Sequence, residues 1–167
     1  MSTVVGHDRT TWIMVFTFIA MITVFIAYLL FRSHGPQPNG YVIAVKPDPA
    51  CNLRAGPCIS RLPGGGSVKF AIQPHTIPAL EPLQLFVSLD GVAAKHVEVD
   101  LSGTDMFMGN NRSSLQRQSG SEYAGESIIP VCTRRAMEWE ATVLVDTGKN
   151  TYSVPYRFIV TNPGIVY

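Results

Sequence analysis

"KHVEVDL", Lys95–Leu101, alternates with a period of two: His96, Glu98 and Asp100 fall on one face, Val97, Val99 and Leu101 on the other. That is the pattern of a strand with one wet and one buried face. Runs of the same kind flank it. "YVIAVK" (41–46) and "SVKFAIQ" (67–73) precede it, the second just after the turn "LPGGG". "PLQLFVSL" (82–89) stops at "DG", a strong turn signal. Downstream lie the weaker "SSLQRQS" (113–119) and "EYAGESII" (122–129), the latter halted by Pro130. "EWEATVLVD" (138–146) and "YSVPYRFIV" (152–160) follow, joined by "TGKN". Beyond the N-terminal region no apolar run has a helical period. Short strands at this spacing predict an antiparallel β-sandwich. Pro155 cannot donate to a ladder, so the last strand is expected at an edge or bulged there.

The N-terminal region differs. "WIMVFTFIAMITVFIAYLLF", Trp12–Phe31, is 20 residues without a charge, Pro or Gly. At about 1.5 Å per residue it reaches roughly 30 Å, the depth of a bilayer's hydrocarbon core. A cleaved signal peptide has a shorter apolar run and a small-residue cleavage site, and "LLFRSHG" offers none. The expected organisation is an N-terminal tail (1–11), one transmembrane helix (12–31), a Gly/Pro-rich linker (32–40, ending "GPQPNG") and an exported β domain (41–167). Arg9 and Arg32 flank the helix symmetrically, so charge does not orient it.

Cysteines bear on the compartment. Cys51 and Cys58 bracket "CNLRAGPC", a short Gly/Pro-containing loop able to close into a ring, or to carry two free thiols. A disulfide here points to an oxidising compartment, most simply a bacterial periplasm behind the inner membrane. Cys132 is then the odd thiol.

Thirteen Lys and Arg against twelve Asp and Glu give a net charge of +1, without the basic excess of a nucleic-acid or membrane-surface binder. "PGGG" (63–66) lacks the GK[ST] of a phosphate loop, and no G-x-S-x-G occurs. His34, His75 and His96 are scattered and expected in solvent, and a lone thiol makes no Cys–His pair. The expectation is a non-enzyme. "NRS" at 111–113 matches a glycosylation sequon, of consequence only in a eukaryotic secretory pathway.

Sulfur is the one concentrated chemistry. Of six methionines, three lie in the β domain: Met106 and Met108 in "TDMFMGNNR" (104–112), and Met137 in "PVCTRRAMEW" (130–139), which also holds Cys132. Met106 and Met108 share a face if that stretch is extended. Thioethers and a thiolate are soft donors suited to Cu(I) and unsuited to Mg, Ca or Mn. The competing reading is packing, since Met fills irregular core gaps and free Cys is often buried.

The C-terminal half resembles the YtkA-like and FixH-like membrane-anchored domains. The resemblance spans about residues 84–160. It is carried by the strand ending at the methionines, the strand of Gly120, Tyr123 and Gly125, the strand of Trp139, Ala141 and Val143, and the closing "YRFIV". It implies an immunoglobulin-like sandwich outside the cytoplasmic membrane, associated with copper handling and haem–copper oxidase assembly. The chain departs from the family in residues 41–80, which include "CNLRAGPC", and in the "PVCTRRAM" insert. Together these lead to an expected function: a single-pass, periplasm-facing Cu(I)-binding protein serving a membrane cuproenzyme. Its expected ligands are Met106, Met108, Cys132 and Met137. The alternative is a metal-free accessory subunit of a membrane complex.

Overall fold

The structure, a computed structural model, describes residues 9–33, 40–106, 108–130 and 135–161. The chain forms two compact units, Met1–Gln37 and Pro38–Tyr167.

The described residues of the first unit form one helix, α1 (Arg9–Ser33). Its stretch Trp12–Leu29 is long and apolar enough to cross a membrane once. The helix runs past the expected 12–31 at both ends, because no breaker occurs between Arg9 and Ser33. Residues 32–33 therefore belong to the helix rather than the linker. The hydroxyls of Thr17 and Thr23 donate to the carbonyls of Met14 and Ala20, at 2.9 and 2.8 Å. Both are thus satisfied within the helix, as a water-free surrounding requires.

The described residues of the second unit form ten strands: β1 (Val42–Ala44), β2 (Cys58–Arg61), β3 (Ser67–Gln73), β4 (Pro82–Asp90), β5 (His96–Gly103), β6 (Arg112–Ser114), β7 (Gln116–Ser119), β8 (Glu122–Ile128), β9 (Ala136–Asp146) and β10 (Thr151–Thr161). They form two five-stranded sheets, β1-β10-β9-β5-β6 and β2-β3-β4-β8-β7. All pairings are antiparallel except β1 with β10. Alternation governs burial. In β5, Val97, Val99 and Leu101 are buried while His96 is exposed. Inward-facing residues of both sheets join in one core, with Trp139, Tyr156 and Phe70 its largest fully buried side chains. The rings of Phe70 and Tyr156 meet across the sheets at 5.1 Å. The architecture is sandwich-like and mostly β.

Two details differ from the sequence-level expectation and a third sharpens it. The short strand β2 starts at Cys58, the last residue of "CNLRAGPC", and matches none of the expected runs. "SSLQRQS" is not one strand: β6 pairs with β5 and β7 with β8, so the two lie in different sheets. Leu115 is the residue between them. Its N–H donates to Val97 at 2.9 Å, while its side chain is buried beside Gly125 of β8. The third detail concerns Pro155. Thr151 N–H donates to Tyr41, and Ser153 C=O accepts from Val45, so odd-numbered residues of β10 aim their backbone groups toward β1. Pro155 shares that parity, and β1 pairs with β10 only over Thr151–Ser153. The missing N–H thus falls on an edge. The ladder to β9 passes it in unbroken register, with no bulge.

Cys51 and Cys58 are at disulfide distance, S–S 1.97 Å, with Cα atoms 5.5 Å apart. Within the ring, the Arg54 guanidinium donates to the Thr76 and Ile159 carbonyls at 2.6 and 2.7 Å. The ring thereby ties the β3–β4 loop to the end of β10.

Tyr156 carries a testable consequence. Its hydroxyl donates to the Val68 carbonyl in the opposite sheet at 3.1 Å. Burial pushes its pKa up to about 12, partly opposed by a hydrogen bond with Ser60. A folded-state pKa above the unfolded value favours the neutral phenol in the fold. The contribution is complete below pH 10 and is lost as pH rises from about 10 to about 12. At 1.36 kcal/mol per pH unit the loss is roughly 2–3 kcal/mol. Denaturation followed between pH 7 and 12 should show this fall. Tyr156→Phe should remove it, at a cost of about 1 kcal/mol at neutral pH for the lost hydrogen bond.

Candidate metal centre

The methionine segments lie at one end of the sandwich. β5 ends at Gly103 opposite Trp139, and β10 ends at Thr161 opposite Ala136, where β9 begins. The β3–β4 loop shares this end through Arg54 and its bond to Thr76. Gly40, where the described part of the second unit begins, is at the other end: a Cβ there would fall 2.0 Å from the Lys149 carbonyl oxygen.

Two fastenings hold the segment after β5. Thr104 N–H donates to Glu138 C=O at 3.1 Å, and its hydroxyl lies 3.2 Å from both that carbonyl and the Glu138 carboxylate. Further on, the Asn111 side-chain amide donates to Ile128 C=O at 2.7 Å and its oxygen accepts from Ser127 at 3.1 Å. Asn111, noted in the sequence only as a sequon, is therefore a pin between the two sheets. Only the density of short polar residues in "GNNRSS" could have hinted at it.

The structure brings two of the expected ligands together. A point in space where a Cβ would stand on Gly103 lies 2.0 Å from Met137 Cε and 3.3 Å from Met108 Cγ. The Met106 carbonyl oxygen is 2.9 Å from the same point. The three side chains run from outside to inside. Met106 is 39% exposed, Met108 is half-buried against the core, and Met137 is 3% exposed. The strand expected from Glu138 begins two residues earlier, at Ala136, and Met137 is its first inward-facing residue, in step with Trp139, Ala141 and Val143. Cys132 lies outside the described residues, as do Val131, Thr133, Arg134 and Phe107.

Harder donors do not converge. Among the described residues no group of three His, Cys, Asp or Glu could hold a metal ion. His75 and His96 are exposed, on different loops and strands. The donor set near Gly103 is thioether, neutral at every pH, which fits a soft monovalent ion and not a hard divalent one.

A cleft of about 500 Å³ opens beside the disulfide ring, lined among others by Asp48, Cys51, Arg54, Glu138, Arg157 and Ile159. Its cations are already engaged. Arg54 donates to backbone carbonyls, and Arg157 Nε lies 2.9 Å from the Glu140 carboxylate. That hydrogen bond, with the charge behind it, raises the Arg157 pKa further. Glu138 belongs to this cleft and also holds Thr104, so cleft and methionine segment share a wall.

No family model, curated protein or solved structure matches this chain.

Proposed function

We propose that the protein is a membrane-anchored, periplasm-facing Cu(I)-binding protein that assists assembly or metallation of a membrane cuproenzyme such as a haem–copper oxidase, and that it is not an enzyme. The sandwich is then of the immunoglobulin-like kind. One observation carries the reading: thioethers from two separate segments, Met108 and Met137, approach one point at Gly103, with the Met106 backbone beside it. Met106, Met108 and Met137 supply neutral soft donors, and Cys132 supplies a thiolate that offsets the ion's charge. Thioether ligands exchange without proton transfer, which suits a carrier that must release its cargo. The apolar helix supports a single-pass anchor. The disulfide supports an oxidising compartment, taken as the periplasmic side of the inner membrane.

Titration of the full-length protein in detergent with Cu(I), against a chromophoric chelator, tests this. One tightly held ion is expected. Met106→Leu/Met108→Leu and Cys132→Ser should each weaken binding by roughly tenfold or more, about 1.4 kcal/mol per decade. Weak, sub-stoichiometric uptake that these variants leave unchanged would sink the proposal. Burial of Met137 favours a second reading, a metal-free accessory subunit whose methionines are packing residues. Isolation from membranes in a stable complex devoid of copper would select it.

A further inference from the structure

Gly103 ends β5 directly opposite Trp139. Its backbone is not in the left-handed region, unlike Gly66, Gly91 or Gly148. Torsion therefore does not call for glycine here, and space does. A Cβ would overlap the Met137 methyl at 2.0 Å, press on the Met106 carbonyl at 2.9 Å and touch Met108 Cγ at 3.3 Å. The first atom ends a flexible side chain, but the second is backbone and cannot swing aside. The room left by the missing side chain is thus filled by one thioether arm from β9 and approached by another from the segment after β5.

We infer that Gly103 is the positioning residue of the thioether site: its bare Cα lets Met137 lie across the end of β5, where Met108 can reach it. The inference rests on the copper reading above. It assigns Met137 a role despite its burial. Met137 is the inner, retaining donor, Met106 the outer, receiving one, and Gly103 leaves open the side-chain space at the end of β5 that Met137 fills. A methyl group at 103 drives the Met137 side chain back toward the core and away from Met108. Residues that orient ligands without touching the metal are commonly worth ten- to hundredfold in affinity.

The test compares four full-length proteins in detergent: wild type, Gly103→Ala, Met137→Leu and the double variant. Each is measured for Cu(I) affinity by chelator competition and for thermal midpoint by circular dichroism. Gly103→Ala is expected to lose roughly tenfold or more in affinity. The double variant should lose no more than Met137→Leu alone, because the two changes remove one interaction. A purely structural glycine would lower the midpoint and leave affinity untouched, or would add its loss to that of Met137→Leu; either result overturns the inference. A measurement on the wild type alone covers the case in which Gly103→Ala does not accumulate. With ¹³C-methyl methionine, Cu(I) should shift the Met137 and Met108 methyl resonances together. A shift of Met106 and Met108 with Met137 unmoved overturns the proposal. If the wild type takes up no Cu(I), the copper reading falls and this one with it. If it binds and Gly103→Ala binds equally well, only the role of Gly103 falls.

Discussion

Trp139→Ala is expected to lower the unfolding free energy of the β unit by about 3–5 kcal/mol, the usual cost of emptying a buried aromatic site. Trp139 is 1% exposed and is among the largest fully buried side chains of the core. It stands on the central strand β9, paired with Phe158 on one side and Gly103 on the other. Both neighbours are fixed in unbroken ladders, so the site cannot collapse to fill the hole. Domains of this size hold on the order of 5–15 kcal/mol in all. The variant should therefore sit near the threshold of folding, and denaturant titration of the full-length chain should place its midpoint far below wild type. Trp139→Phe keeps most of the volume and should cost much less. A shift under about 1 kcal/mol for the alanine variant would contradict the packing described, given the usual range for such changes. Met137 lies two residues earlier on the same face, so the change should also loosen the thioether arm.

Removing the Cys51–Cys58 bond comes next. The ring closes about eight residues, and the loop-entropy relation assigns it roughly 2.5 kcal/mol. Two effects add to that. Cys58 is buried in the core, and Arg54 is presented from within the ring to the Thr76 and Ile159 carbonyls. Opening the ring frees Arg54 to leave both acceptors. Cys51→Ala/Cys58→Ala and a dithiol-reduced wild type should fall by similar amounts. Amide exchange should accelerate around the β3–β4 loop and the end of β10 before it does so in the central strands. Equal midpoints for oxidised and reduced protein would refute this account.

The strands were legible wherever one face is wet. β3 coincides with the run "SVKFAIQ", and β4, β5, β8, β9 and β10 start and stop within two residues of the apolar alternation. The rule failed where a strand is short or exposed. β2 has four residues, and β7 is exposed throughout, so neither has an alternation long enough to register. Of the candidate site, the residue types were legible and their placement was not. Spacing put Met106 and Met108 in one segment and Met137 in another. Whether they approach each other depends on the pairing of β5 with β9, a contact between residues more than thirty apart in sequence. Gly103 was invisible for the same reason: what it lacks matters only because of what lies opposite. Met137 lies just before the run "EWEATVLVD", and its step in the Trp139 alternation determines its direction.

The single-residue passage at Leu115 has a consequence for how the molecule opens. Its amide is bonded into one sheet and its side chain is packed into the other. Separating the layers at this residue means giving up either its hydrogen bond to Val97 or its packing beside Gly125. The two ladders are therefore one cooperative unit rather than two leaves of independent stability, and the slowest-exchanging amides on either side of this seam should share one opening free energy.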